Sequence, residues 1–262
     1  MTAPRIALVT GAAARLGRAM ALTLADRGHD VAVHYNGSRE AAEQVVREIE
    51  AKGRRAMALQ ADLLDESQAA ALLPRAAAAL GSPITTLVNN ASIFDYDNLA
   101  TATRESWDRH FGSNLRAPFL LTQALAAQAP DPLRDFNGEP VAQALVVNMI
   151  DQRVRKPTPE FMTYTLAKSA LWTLTRTAAQ ALAPRVRVNA IGPGPTLRGA
   201  RQSEAHFARQ RASTVLERGS DPEDIAAALA YLLDAKAVTG QLLCVDGGQH
   251  LGWKTPDVLG VE

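Results

Sequence analysis

Residues 10–18 read TGAAARLGR and follow directly on the apolar run IALVT (6–10). A strand that delivers Gly11 into a sharp turn, with a helix opening at about Leu16, is the arrangement in which backbone amides and the positive helix end face a pyrophosphate. Gly11 allows the turn and a close backbone approach, and Gly17 allows helix and strand to pack closely. No Lys-Ser/Thr pair follows the second glycine, so the phosphate-loop NTPase pattern is not met. Two glycines alone also fit a plain strand-to-helix turn, so the reading needs support from the rest of the chain.

That support begins with periodicity. Strand-like runs at 31–35 (VAVHY), 56–63 (AMALQADL), 85–92 (TTLVNNAS), 144–150 (ALVVNMI), 186–195 (VRVNAIGPGP) and 241–248 (QLLCVDGG) follow the first. Helical patterns at about 16–27, 39–52, 66–80, 104–129 and 160–183 alternate with them. The strands are continuously apolar rather than alternating, as expected where helices cover both faces of a parallel sheet. The spacing predicts an α/β, doubly wound Rossmann fold with about seven strands, in one domain over 1–262. The polar stretch 195–222 has no strand signal and follows a carboxyl strand edge, where ligands bind in such sheets, so it is a candidate substrate lid.

Composition narrows the function class. With 262 residues, 47% hydrophobic and a net charge of +1, the chain can bury a large core and gives no electrostatic argument for nucleic acid or a membrane as partner. The single Cys244, in an apolar run, allows no intrachain disulfide and reads as a core residue. No apolar stretch of signal-peptide or membrane-spanning length is found, and the expected location is cytoplasmic. A small-molecule partner remains, and no metal is expected.

The second strand ends in HYNGSR (34–39) with no acid before Glu40. An acid there would repel a 2′-phosphate, whereas Asn36, Ser38 and Arg39 can donate to one, which favours NADPH over NADH. The alternative is a solvated helix start capped by Ser38. Tyr164 and Lys168 in YTLAK stand at i, i+4 on one helix, where an ammonium would lower the phenol pKa and make it a proton donor or acceptor.

The order of NNAS (89–92), Asn114, Tyr164, Lys168 and GPGP (192–195) resembles the short-chain dehydrogenase/reductase family over nearly the whole chain. The resemblance implies that Tyr164 donates or accepts the proton, that Lys168 binds the nicotinamide ribose and tunes the tyrosine, and that Asn114 holds a proton-relay water. It also implies cofactor contacts at Gly11, Arg15, Leu16, Gly17, Asp62, Leu63, Asn90, Ala91, Ser92, Pro193 and Gly194, with Asp62 at the adenine. VDGGQ (245–249) fits the family's last strand and its usual homotetramer contact.

Two departures mark a branch. Arg15 stands where the family has its middle turn glycine, and Asp151, thirteen residues before Tyr164, replaces the usual catalytic serine. Both occur in the pteridine reductase branch, which includes the bacterial dihydromonapterin reductases. HY (34–35), the phenylalanine close after NNAS and FGSN-x-x-AP (111–118) are similar to it as well. The resemblance implies a pterin-like substrate stacked on Phe94 against the nicotinamide, contacts from Arg15 and Ser92, and an Asp151 that orients the ring or relays a proton. Phe94 as a core residue, Arg15 as a phosphate contact only, and Asp151 as an inert hydrogen-bonded group are the alternatives. A carbonyl reductase acting on a ketone or 3-oxoacyl thioester, and a silent NADP-binding protein, are the competing functions.

Overall fold

β1 (Arg5–Val9), β2 (His29–Tyr35), β3 (Ala56–Gln60) and β4 (Thr86–Asn89) form one half of a sheet, with α1 (Arg15–Asp26), α2 (Arg39–Glu50) and α3 (Glu66–Leu80) between them. After β4 the chain runs through α4 (Arg104–Phe111), a π-helical segment (Gly112–Arg116), α5 (Ala117–Gln128) and a small hairpin, β5 (Leu133–Arg134) and β6 (Pro140–Val141). β7 (Ala144–Met149), a 3-10 turn (Gln152–Val154), α6 (Met162–Leu182), β8 (Val186–Pro193), α7 (Glu204–Ala212), α8 (Pro222–Asp234), β9 (Leu242–Val245) and a last 3-10 turn (Gln249–Leu251) complete it. This is a computed structural model and describes residues 5–199, 201–255 and 258.

The strands pair in the order β3-β2-β1-β4-β7-β8-β9, and every pairing is parallel. Every residue of β4 and β7 is buried, because α1, α2 and α8 cover one face of the sheet and α3, α5 and α6 the other. This explains why those strands read as continuous apolar runs. The order reverses between β1 and β4, so their carboxyl ends open a crevice, the usual ligand position in such sheets.

The expected doubly wound, seven-stranded architecture is therefore observed, with local corrections. The helix expected over 104–129 is divided by the π-helical turn at Gly112–Arg116, which apolar periodicity does not reveal. The third strand stops at Gln60, leaving Asp62 and Leu63 in the loop before α3. The two-residue strands of the hairpin carry no periodic signal at that length. The segment 195–222 is strand-free as expected but contains α7, and its Ala200 lies outside the described residues. Cys244 is half-buried in β9, and burial pushes its thiol up to about 11, which makes it inert. No helix among the described residues is long and apolar enough to cross a membrane.

β2 buries two histidines, His29 and His34, and burial, aided by nearby arginines, lowers each from 6.5 to about 4. The unfolded chain takes up these protons as pH falls through 6.5, while the folded chain resists them until about 4. Stability therefore declines as the pH falls through that window, by up to about 3 kcal/mol per histidine at one pKa unit per 1.36 kcal/mol. Urea titrations at pH 7 and pH 4.5 should show this loss, and His34→Gln should flatten part of the slope. An unaltered slope in that variant would exclude His34 as a source.

Candidate active site

The glycine turn is fastened from three sides. Asn90, at the end of β4, donates from Nδ2 to the carbonyls of Thr10 (2.8 Å) and Gly11 (3.1 Å), and Thr10 Oγ1 accepts from the amides of Asn90 and Ala91. Gly11 adopts φ +62°, and a Cβ on Gly17 would lie 2.1 Å from the Gly11 carbonyl oxygen, so both positions require glycine. The third fastening is His34. Its Nδ1 accepts from Gly11 N–H (3.0 Å), which places its proton on Nε2, the donor to the Ala61 carbonyl (3.1 Å). Sequence reasoning used His34 only as half of an HY pair. Its buried position in β2 was the available signal.

α1 opens at Ala14 with no side-chain cap and no acid in its first turn. Its free amides and positive end therefore face the crevice unneutralised, an arrangement that fits a dinucleotide pyrophosphate. Leu16 packs against the core on the α1 face, and Gly17 is buried. Arg15 has φ +54°, the left-handed conformation that explains why glycine is usual there, and its guanidinium donates to the Leu197 and Arg198 carbonyls (3.1 Å each). The turn and the 195–222 segment are thus joined by one side chain.

At the end of β2, Ser38 begins α2 without capping it, so the capping alternative is not observed. Arg39 is exposed and pairs with Glu43 (2.8 Å), while Asn36 Oδ1 accepts a long bond from Gln60. Asp62 accepts from the Leu64 amide (2.9 Å), and Leu63 is buried in the core on the α3 face.

Tyr164, Lys168 and Asp151 converge where β7 and α6 meet. Tyr164 Oη donates to Asp151 Oδ2 (3.1 Å), Asp151 Oδ1 accepts from Arg153 N–H (2.9 Å), and Lys168 Nζ donates to the Met149 carbonyl (2.8 Å). Burial raises the Asp151 carboxyl, and burial together with that carboxylate raises Tyr164 well above 10. Burial lowers Lys168 to about 8. The expectation that Lys168 lowers the phenol pKa is therefore corrected: a desolvated phenol facing a carboxylate is held protonated.

The Asn114 side chain is wholly buried and bonded to the Ile93 backbone, accepting from its N–H (2.9 Å) and donating to its carbonyl (2.8 Å), so it braces the loop, which leaves the main chain of the π-helical turn as the part that could hold a relay water. Ser92 lies on that loop, exposed, with a long bond to the Ile93 carbonyl and its hydroxyl beside the Tyr164 phenol, where it favours the ionised form.

A cavity of about 660 Å³ opens over Asp151, bounded by Phe94, Phe161, Pro193, Gly194 and Arg15. Phe94 is 41% exposed, so the core alternative fails; it stacks on Phe161 (4.3 Å, 10°) and meets Tyr164 edge-on (4.6 Å). Arg201, from the 195–222 segment, lies over both phenylalanine rings, and Arg153 over Phe161. Phe161, Arg153 and Arg201 were missed in sequence because no local motif marks them. At β8, a Cβ on Gly194 would meet Asp246 at 2.5 Å, so this glycine serves packing as well as lining the cavity.

A glycine turn at the switch point of a parallel sheet, a buried phenol–carboxylate–lysine cluster, and a cavity lined by both Arg15 of the turn and Asp151 of the cluster define a dinucleotide-dependent oxidoreductase. The family described as enoyl-(acyl carrier protein) reductase matches residues 11–250. The FolM alternative dihydrofolate reductase 1 of Brucella suis, solved with NADP, is 43% identical with a TM-score of 0.90, over 98% of this chain and all of that one. The Brucella canis protein of the same description, also with NADP, is 40% identical with a TM-score of 0.88, over 99% and 100%. The 3-oxoacyl-[acyl-carrier-protein] reductase FabG of Staphylococcus aureus is 34% identical over 96% of this chain and 100% of its own. The chain belongs to the short-chain dehydrogenase/reductase family and is an NADP-dependent oxidoreductase.

The turn gives two opposite expectations. Gly17→Ala forces backbone apart and should lower both Tm and NADPH affinity. Arg15→Gly relieves about 1 kcal/mol of left-handed strain, so Tm should hold while NADPH binding, read by nucleotide fluorescence, weakens at least ~3-fold, as expected for the loss of a charged contact. Parental NADPH affinity in Arg15→Gly would remove Arg15 from the cofactor site.

Proposed function

We propose that this chain reduces a pterin-like heterocycle, of the dihydromonapterin, dihydrobiopterin or dihydrofolate class, with NADPH. The observation that carries the reading is the bond from the buried Tyr164 Oη to Asp151 Oδ2, the carboxyl that lines a cavity walled by the stacked Phe94 and Phe161 rings. A ketone needs only a hydroxyl to steady its oxygen. A ring bearing N–H and amino groups needs an acceptor beside the proton donor, and a carboxylate supplies one. The similarity to the two Brucella proteins supports the same reading.

Bound NADPH would supply the hydride. The residues present fit it: the uncapped α1 end and Arg15 toward the phosphates, Asn36, Ser38 and Arg39 toward a 2′-phosphate, and Asp62 and Leu63 toward the adenine. Asn90, Ala91, Pro193 and Gly194 would line its path, and Lys168 would meet the ribose. Tyr164, held protonated, would deliver its proton to the ring nitrogen, and Asp151 would hold the neighbouring N–H groups and steady the phenol proton. The exposed face of Phe94 gives the planar ring a partner and, with Phe161, keeps water from the reacting edge. Ser92 and Arg15 would contact its polar rim. The family resemblance also leads us to propose a homotetramer.

A second reading, reduction of a ketone or 3-oxoacyl thioester, is favoured by the similarity to the Staphylococcus reductase. An NADPH-oxidation screen of dihydropterins, dihydrofolate and 3-oxoacyl thioesters separates the two. Pterin turnover should exceed thioester turnover, and Asp151→Ser should cut it by at least ~10²-fold, the low end for a positioned acid–base group. Faster turnover of the thioester, or an Asp151→Ser variant with parental pterin turnover, would overturn the reading.

A further inference from the structure

The helix that carries Tyr164 and Lys168 has no cap of its own. Its N-cap position, Phe161, is left-handed at φ +56° and offers no hydrogen-bonding side chain. The missing acceptor comes from another part of the chain. Asp97 Oδ1 accepts from the Thr163 amide (3.1 Å), and the Asp97 carbonyl accepts from Met162 N–H (3.3 Å). The Asp97 carboxylate also accepts from the Thr163 hydroxyl and, at 3.0 Å, from Ser106 Oγ.

A third buried group completes the arrangement. His110 Nε2 accepts from the Asp95 amide (3.0 Å), so its proton is on Nδ1 and is donated to Thr163 Oγ1 (2.7 Å). The Thr163 hydroxyl, receiving that proton's bond, must direct its own hydrogen to Asp97. The donor directions of His110 and Thr163 are thereby fixed. Asp97, Thr163 and His110 are each at most 2% exposed, and the imidazole meets the Tyr164 ring edge-on with ring centres 6.0 Å apart. Burial opposes the charge on Asp97, yet the bonds from Thr163 and Ser106 hold its carboxyl below the usual range.

This cluster joins three elements that meet at the cavity. Asp97 lies three residues after Phe94, on the same loop; Thr163 directly precedes Tyr164; His110 sits in the last turn of α4, just before the π-helical segment that places Asn114. An ionised, fully bonded Asp97 therefore sets the aromatic wall and the phenol relative to one another.

We infer that Asp97, Thr163 and His110 are positioning residues that hold Tyr164 and Phe94 in register. The inference rests on Tyr164 acting as the proton donor and is independent of which substrate receives the proton. Thr163→Val keeps the side-chain shape while leaving His110 N–H and the Asp97 carboxylate without their partner, and Thr163→Ser restores the hydroxyl.

The experiment measures kcat, KM and NADPH affinity at a temperature below each variant's Tm, using whichever compound the parent chain reduces fastest in the screen. Thr163→Val should lower kcat at least ~10-fold, a fraction of the ~10²-fold that an ångström of misplacement can cost. NADPH affinity should stay within about 2-fold, because the glycine turn is untouched, and Thr163→Ser should recover most of kcat. Hydrogen exchange gives a readout without substrate: amides of 161–166 should exchange faster in Thr163→Val while those of 10–18 are unchanged. Should Thr163→Val fail to fold, Asp97→Asn and Thr163→Ser carry the same comparison. Parental kcat in a variant lacking the hydroxyl or the charge, a parallel loss of kcat and NADPH affinity, or no recovery with serine would overturn the inference. A thioester replacing the pterin as best substrate would defeat the proposed function alone.

Discussion

The hydrogen bonds from Asn90 to the Thr10 and Gly11 carbonyls are the constraint on which the site depends. They cross the switch point of the sheet, where β1 and β4 are neighbours but their following segments diverge to opposite faces. The crevice this divergence opens would leave two strand ends with unpaired carbonyls beside a tight turn, and buried carbonyls without partners cost stability. Asn90 satisfies both, Thr10 binds the loop back to the strand, and His34 takes the remaining Gly11 amide. The turn is therefore fixed by the chain's own hydrogen bonds, which lowers the ordering cost of any ligand that binds there.

The opposite wall of the crevice is organised by a different economy of charge. Asp151, Tyr164 and Lys168 occupy one desolvated pocket, and each one's ionisation is disfavoured by burial. A carboxylate and an ammonium in such a place support each other, but the phenol hydroxyl bonds the carboxylate, whereas the ammonium lies over the ring face, 5.7 Å from its centre, and donates to the Met149 carbonyl. A serine at position 151 would remove the carboxylate that opposes ionisation and leave the Arg153 charge favouring it. The aspartate reverses this bias. One substitution within a common constellation thus changes its resting protonation state, and with it the kind of group the site can hold.

The fold was legible in sequence because burial on both sheet faces writes itself into consecutive apolar residues, as in Ala144–Met149. The glycine turn was legible because left-handed backbone and close packing tolerate little else at Gly11 and Gly17. The site was legible only where it is local. Tyr164 and Lys168 share a helix face and Asp151 closely follows a strand, whereas Phe161, Arg153 and Arg201 reach the cavity, and Asp97 the head of α6, through tertiary contacts that no spacing encodes. The partners of Lys168 and Asn114 are hidden for the same reason: a residue type indicates what a side chain could bond, and only the packing decides that Lys168 meets Met149 and Asn114 meets Ile93.

Arg15 shows what the two halves of the site share. Its left-handed backbone costs about 1 kcal/mol, and a glycine would avoid that cost, so the side chain must contribute something that outweighs it. In the structure it spans from the first residue of α1 to the carbonyls of Leu197 and Arg198, with the cavity below it. Those bonds are made to backbone at an exposed site and are individually weak, about 1 kcal/mol or less each. A guanidinium held so loosely, beside an uncapped helix end that already favours anions, can be transferred to a phosphate at little cost. The strain at Arg15 is therefore tolerable in a turn whose cation ties the start of α1 to the 195–222 segment and stands beside an uncapped helix end.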